Sequence, residues 1–137
     1  MASYEYELVN PPYGDRKREL WIQHAVGFML FQDMRQYAID EIDPNISPEL
    51  REHVIKGIND AVYGLMMVID GVSGTLRNSS DAVNLRFIAQ HIKERDEAPT
   101  EVVQELDLAN GDGFCMGYHG WQEGDFGNEP VAVKKPV

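Results

Sequence analysis

The chain has 137 residues and a formal net charge of −11, with 43% hydrophobic and 26% charged residues. This length and composition predict one globular domain over residues 1–137 and exclude an intrinsically disordered chain. The single cysteine, Cys115, excludes an intrachain disulfide, and we expect neither an export leader nor a membrane-spanning segment, so we place the protein in the cytoplasm.

Residues 1–14 predict an extended lead-in, because Pro11 and Pro12 cannot continue a helix. Asp15 is the predicted N-cap of a long first helix that covers residues 16–40. Apolar residues recur there at the spacing of one helical face: Ile22, Val26, Met29, Leu30, Met34, Tyr37 and Ala38. A second apolar stripe lies beside the first: Trp21, Phe28 and Phe31. This wide apolar surface predicts that the first helix organises the core.

Two polar features accompany the first helix. Arg16, Lys17 and Arg18 lie at its start, where the helix dipole disfavours cations. We therefore expect neighbouring carboxylates to hold this basic run, and the alternative is an anionic ligand. His24 lies on the aromatic stripe, and we interpret it as a hydrogen-bonded histidine at the core boundary.

The Ser-Pro-Glu sequence at residues 47–49 predicts the start of a second helix, because serine caps the first amides and proline fits the first turn. Its apolar face is almost unbroken: Val54, Ile55, Ile58, Ala61, Val62, Leu65, Met66 and Ile69. Gly71 predicts a left-handed cap at its end. Gly57 and Gly64 share one edge of this helix, where we expect close approach of the first helix, with room for a ligand as the alternative.

The sequence after the second helix is less decisive. Residues 72–80 are rich in serine, glycine and asparagine and predict a loop. Residues 82–92 fit a helix with its apolar side chains on one face and fit a strand with alternating side chains equally well. The pattern leaves both interpretations open.

A hairpin is predicted in the C-terminal third. Residues 102–108 alternate as a strand does, and residues 114–119 can pair with them. The connecting residues 110–113, Asn-Gly-Asp-Gly, tolerate the positive φ angles of a tight turn.

The remaining residues predict an ordered loop at 120–128, held by Trp121 and Phe126, and a tail at 128–137. The predicted fold class is α+β, with two long antiparallel helices packed on a small C-terminal antiparallel sheet. An all-α bundle is the alternative.

Standard signatures of phosphate loops, nucleophile elbows and zinc sites are absent from the sequence. The densest group of polar and aromatic residues lies between positions 112 and 125, and we interpret it as a binding site made of Asp112, Tyr118, His119, Trp121, Glu123 and Asp125. We expect no metal, no cofactor and no catalytic residue there. Cys115 and His119 are four positions apart, too far for contact along a strand.

The acidic charge is concentrated late in the chain. Nine acidic residues and neither lysine nor arginine lie between Asp96 and Val133, a run that repels nucleic acid and attracts basic protein. We therefore expect a small binding protein that docks a basic partner as an inhibitor, an adaptor or an immunity-type neutraliser, with no membrane contact. The alternative is a small-molecule or metal-binding domain, or an enzyme, with its site at residues 112–125. The wide apolar surface of the first helix also favours a homo-oligomer.

Overall fold

The computed structural model describes residues 2–127 and 130–134 and contains both helix and sheet, as predicted. The helices are α1 (Ala2–Glu5), α2 (Asp15–Leu30), α3 (Tyr37–Asp40), α4 (Pro48–Ile69) and α5 (Phe114–Gln122). The strands are β1 (Tyr6–Leu8), β2 (Thr75–Arg77), β3 (Ala82–Asn84), β4 (Ile88–Lys93), β5 (Glu101–Asp107) and β6 (Val131–Val133).

The first long helix is continuous but changes its winding. A π-helical turn, Phe31–Gln36, joins α2 to α3. The predicted N-cap is wrong by one residue, because Gly14 precedes the helix with a φ of 95° and Asp15 is already helical. Glycine takes this φ without the steric cost that a side chain would add. Within the π turn, Arg35 Nε donates to Asn59 Oδ1 on α4 at 2.8 Å.

Both predicted ends of α4 are confirmed. The amide of Leu50 donates to Ser47 Oγ at 3.1 Å, which caps the first turn. At the other end Gly71 has a φ of 76°. The amide of Gly71 donates to the carbonyl of Val68 at 3.1 Å and that of Val72 to the carbonyl of Met67 at 3.0 Å. These two bonds form a Schellman motif and satisfy carbonyls that the helix leaves free.

The expected close approach at Gly57 and Gly64 is wrong. A Cβ atom built on either glycine meets no heavy atom within 4 Å. The first long helix touches α4 through the π turn and α3, and α5 packs against both α2 and α4. α5, a helix that the sequence analysis does not predict, therefore lies between α2 and α4.

The predicted hairpin over residues 102–119 is also wrong, because α5 replaces its second strand. Gly113 turns the chain with a φ of 100°, and the carboxylate of Asp70 caps the helix that follows. The amides of Phe114 and Cys115 donate to the two oxygens of Asp70 at 2.5 and 2.9 Å. A carboxylate at a helix N-terminus satisfies free amides and complements the dipole. This cap lies 44 residues upstream of Phe114, where a local pattern cannot reveal it.

The strands form three separate two-stranded antiparallel sheets in the described part of the chain. Residues 82–92 contain β3, which pairs with β2, and most of β4, which pairs with β5. The helical interpretation of this segment is therefore wrong, and the strand interpretation is correct except that residues 85–87 separate two strands. β1 pairs with β6, so the extended lead-in and the tail each contain a strand. A strand agrees with the extended lead-in, whereas the helical turn α1 does not. Residues 128–129 and 135–137 of the tail lie outside the described residues. The predicted single C-terminal sheet is not present.

The core lies where α2, α4 and α5 meet. It consists of Ile22, Phe31, Val62, Met66, Ile69, Leu106, Leu108, Phe114, Tyr118 and Trp121. Trp121 reaches its place because Gly27 on α2 and Gly117 on α5 have no side chains. A Cβ on either glycine would approach the indole ring to 2.6 Å, closer than packed atoms can lie.

Candidate functional site

The six residues of the predicted binding site are distributed along α5 rather than gathered at one point. Asp112 lies just before the helix, and Glu123 follows its last residue. A helix of nine residues separates its ends by about 13 Å. Within the described residues, no group of three or more histidine, cysteine or acidic side chains is arranged to hold a metal ion.

Asp112 joins the start of α5 to α2. The guanidinium of Arg16 forms a short ion pair with its carboxylate. The amide of Asp112 donates to Oε1 of the buried Gln23 at 2.8 Å. The hydrogen bond from Arg16 holds the pKa of Asp112 below its usual value, so the carboxylate stays ionised in the folded protein.

Tyr118 and Trp121 are both buried, and their polar atoms are paired inside the protein. The hydroxyl of Tyr118 donates to the carbonyl of Asn59 at 3.4 Å and accepts from Gln122 Nε2 at 3.0 Å. Burial raises the pKa of the Tyr118 hydroxyl. Trp121 Nε1 donates to Nδ1 of His24 at 2.9 Å, which confirms His24 as a hydrogen-bonded boundary residue. These contacts join α5 to α2 and α4.

His119, Glu123 and Asp125 lie on the exposed side of α5 and beyond its end. The His119 ring lies 6.0 Å from the ring of Tyr63, measured between centroids. Asp125 Oδ1 accepts from the amide of Gly127 at 3.0 Å, which closes a local turn. Of the six predicted residues, these three therefore present side chains to solvent without converging.

Cys115 and His119 lie on a helix and not on a strand. Positions four apart share one helical face. The expectation that strand geometry separates Cys115 from His119 is therefore wrong. Burial raises the pKa of the Cys115 thiol, and the nearby carboxylate of Asp70 raises it further. A thiol with a raised pKa is protonated at neutral pH and is a poor nucleophile.

A larger feature, which the sequence interpretation missed, is an apolar groove between α2 and β4. It encloses about 490 Å³. We call it the α2–β4 groove, and its lining is Leu8, Trp21, Ile22, Ala25, Val26, Met29, Phe87, Ile88, Ala89, Gln90, His91, Ile92 and Leu108. None of these residues is acidic, lysine or arginine. A signal for this groove was present in the sequence, because residues 87–92 place apolar side chains on both faces of the strand. A two-stranded sheet cannot bury both of these faces by itself.

One wall of this groove is the unpaired edge of β4. The amide of Leu108 donates to the carbonyl of Phe87 at 2.9 Å, so Phe87 directs this group toward β5. Antiparallel ladder bonds engage alternate residues. Ala89 therefore also faces β5, whereas Ile88 and Gln90 direct their backbone amides and carbonyls away from it. Within residues 2–127 and 130–134, no strand pairs with β4 on this second side, which leaves polar groups free for another strand.

Carboxylates lie on two sides of the α2–β4 groove. A second groove, of about 200 Å³, shares Leu8, Ala25 and Met29 with the first and adds Glu7 and Asp33. On the other side, Glu105 and Asp107 of β5 lie opposite residues 88 and 90 of β4. Lys93, at the end of β4, is the basic residue of this strand. These carboxylates flank the apolar lining without belonging to it, and we call them the acidic rim. Three of them accept hydrogen bonds within the protein: Asp33 from Ala2, Glu105 from Gln90 and Asp107 from Ala109.

No described helix is long and apolar enough to cross a membrane. Comparison of the chain with protein-family models, with curated proteins and with solved structures finds no match.

Proposed function

We propose that this protein is a binding module that holds an extended segment of a basic protein partner in the α2–β4 groove. The observation that carries the proposal is the unpaired edge of β4 along an apolar groove with an acidic rim. Addition of a strand to a free sheet edge is a common mode of peptide recognition, in which backbone bonds give affinity and side-chain pockets give specificity.

Exposed apolar side chains on both walls of the groove support this mode. Leu8 is 56% exposed, Met29 45% and Ile88 53%. Their burial by a partner is favourable by roughly 25 cal/mol for each Å² of apolar surface removed from water. Singly scattered apolar residues are ordinary on a protein surface, whereas a contiguous group along one groove is typical of an interaction site.

The charge around the groove favours a basic partner. Glu7, Asp33, Glu105 and Asp107 lie along the rim, and the whole chain carries a net charge of −11. Lysine and arginine residues that flank an apolar segment would meet these carboxylates after the segment enters the groove. Complementary charge of this kind accelerates association and weakens as salt screens it. An inhibitor, an adaptor or a neutraliser of a basic toxin would each use such a surface.

The experiment selects ten-residue segments from a random peptide display library on the immobilised protein at low salt. We expect the recovered peptides to alternate apolar residues and to carry lysine or arginine at their flanks. Their affinity should fall as the salt concentration rises. Recovery of acidic peptides, or of amphipathic helices, would contradict the proposal.

Substitutions then locate the site. Gln90→Pro removes an amide that points away from β5, so it blocks strand addition and leaves the β4–β5 ladder intact. We expect it to weaken the selected peptides at least tenfold, which corresponds to about 1.4 kcal/mol. Ile88→Thr tests the apolar contact without altering the backbone, and Val83→Thr on the exposed β3 strand is its matched control.

The acidic rim has its own test. Glu7→Gln combined with Glu105→Gln should reduce the affinity and flatten its dependence on salt, whereas Glu41→Gln combined with Glu52→Gln removes the same charge elsewhere. Equal effects of the two pairs would show that net charge alone acts. Sedimentation of the free protein provides a further check. A dimer that the Gln90→Pro substitution dissociates would mean that a second copy of the chain occupies the α2–β4 groove, and it would overturn the proposal.

A further inference from the structure

A separate pocket lies at the other side of Trp21, between α2 and the segment that follows α5. It encloses about 210 Å³. Leu20, Trp21 and Phe126 form apolar walls. The pocket is closed by Val9, Asn10, Pro12 and Pro130. The amide of Val9 donates to the carbonyl of Pro130 at 2.8 Å, which holds the two closing segments together.

His24 presents a hydrogen-bond donor beside this pocket. Trp121 Nε1 can only donate, so His24 Nδ1 accepts its bond and carries no proton. The proton of the neutral ring is therefore on Nε2. A Cβ on Gly127 would approach Nε2 to 2.6 Å, so only a glycine can pack this closely against the imidazole ring. Nε2 has no hydrogen-bond acceptor among residues 2–127 and 130–134.

Lys17 adds a positive charge to the same pocket. Arg16 is paired with Asp112 and Arg18 with Asp15, as the sequence predicts for this basic run. Lys17 differs, because its ammonium has no ion pair or hydrogen bond in the part of the chain that the structure describes. Among the described residues no carboxylate side chain lines the pocket, and Asp125 and Asp112 act on His24 from outside the lining. In a protein of net charge −11 this combination is distinctive.

We propose that this pocket binds a small carboxylate with an apolar ring, whose carboxylate accepts from His24 Nε2 and pairs with Lys17. Lys17 and His24 line the same pocket, and charge-assisted bonds from a cation and an N–H donor are a strong means of holding a carboxylate. The walls of Leu20, Trp21 and Phe126 bury the ring. A cavity of about 150 Å³ can hold benzene, so the volume here suits one ring with a small substituent.

The site is independent of the α2–β4 groove, although Trp21 lines both. The groove offers backbone groups of a sheet edge and an acidic rim, whereas the pocket offers a lysine and a histidine donor. Ile88→Thr should therefore leave the pocket unchanged. Failure of peptide binding would overturn only the proposal for the groove, and failure of carboxylate binding would overturn only the proposal for the pocket.

The test titrates the full chain with benzoate, benzamide and benzamidine and measures binding by calorimetry and by the indole N–H resonance of Trp21. These probes share one ring and differ in charge. We expect benzoate to bind at least tenfold more tightly than benzamide, and benzamidine not to bind. Equal affinity for all three, or no binding of benzoate, would overturn the proposal.

Lys17→Gln should weaken benzoate at least fivefold and leave benzamide nearly unchanged. Lys56→Gln is the matched control, because Lys56 lies on α4 and pairs with Asp60 at 2.7 Å. His24→Phe removes the donor and keeps an aromatic ring, and it should weaken benzoate further. If the His24→Phe variant unfolds, the benzoate affinity of Lys17→Gln still tests the proposal. A loss of affinity no larger than that of Lys56→Gln would refute the site.

Discussion

The helical centre and the β2–β3 sheet differ sharply in how much of their side chains they bury. Phe114 and Met66 in the centre are fully buried, whereas Leu76 and Val83 on the β2–β3 sheet are 82% and 74% exposed. A two-stranded sheet alone is marginally stable in water. We infer that the helices supply most of the folding free energy and that the β2–β3 sheet presents surface, whereas β5 contributes Leu106 to the core.

The largest expected effect tests this difference directly. Phe114→Ala removes a fully buried ring, and we expect it to lower the free energy of unfolding by about 3–5 kcal/mol. Leu76→Ala on the exposed β2 strand should change it by no more than about 0.5 kcal/mol. Urea denaturation at pH 7 measures both. Similar losses would mean that the sheets carry as much stability as the helices.

A smaller effect sharpens the comparison within the helices. Gly27→Ala places a methyl group against the Trp121 ring, and we expect a loss of about 1–3 kcal/mol from overpacking. Gly57→Ala is the matched control, because its methyl group meets nothing within 4 Å. Alanine is the better helix former by about 1 kcal/mol, so this variant should be more stable than the wild type. A loss at Gly57 would contradict the assigned packing.

The smallest effect concerns pH. Burial lowers the pKa of His24, and the carboxylates of Asp125 and Asp112 partly oppose this shift. The unfolded chain therefore takes up this proton first, so the free energy of unfolding declines as the pH falls below about 6.5 and stops declining below the folded pKa. Denaturation at a series of pH values measures the slope. The His24→Gln substitution should reduce this slope of the free energy of unfolding against pH. An unchanged slope would mean that other titratable groups cause the pH dependence.

Elements with a local cause could be predicted from the sequence. α4 is the clearest example, since Ser47 and Gly71 act on amides and carbonyls within a few residues of themselves. The extent of the first long helix was predictable for the same reason, as its apolar spacing continues through residue 40. The β5 strand also follows from alternation within seven residues.

Elements with a distant cause could not be predicted. α5 depends on the Asp70 carboxylate, and the strand at residues 131–133 depends on β1 at the other end of the sequence. Tyr118 and Trp121 were predicted as binding residues and lie in the core, because their partners Asn59 and His24 are 59 and 97 residues away in the sequence. The α2–β4 groove exists only when two remote segments are brought together.

The π turn in the first long helix has a consequence for insertions and deletions. A π turn holds one residue more than an α turn, so Phe31–Gln36 contains a residue that a regular helix would not need. Removal of one residue here would restore α winding and keep the flanking helices in phase, whereas removal elsewhere in α2 would rotate every later side chain by about 100°. This turn, which also presents Arg35 to Asn59, is therefore the place in the helix where a change of length costs the fold least.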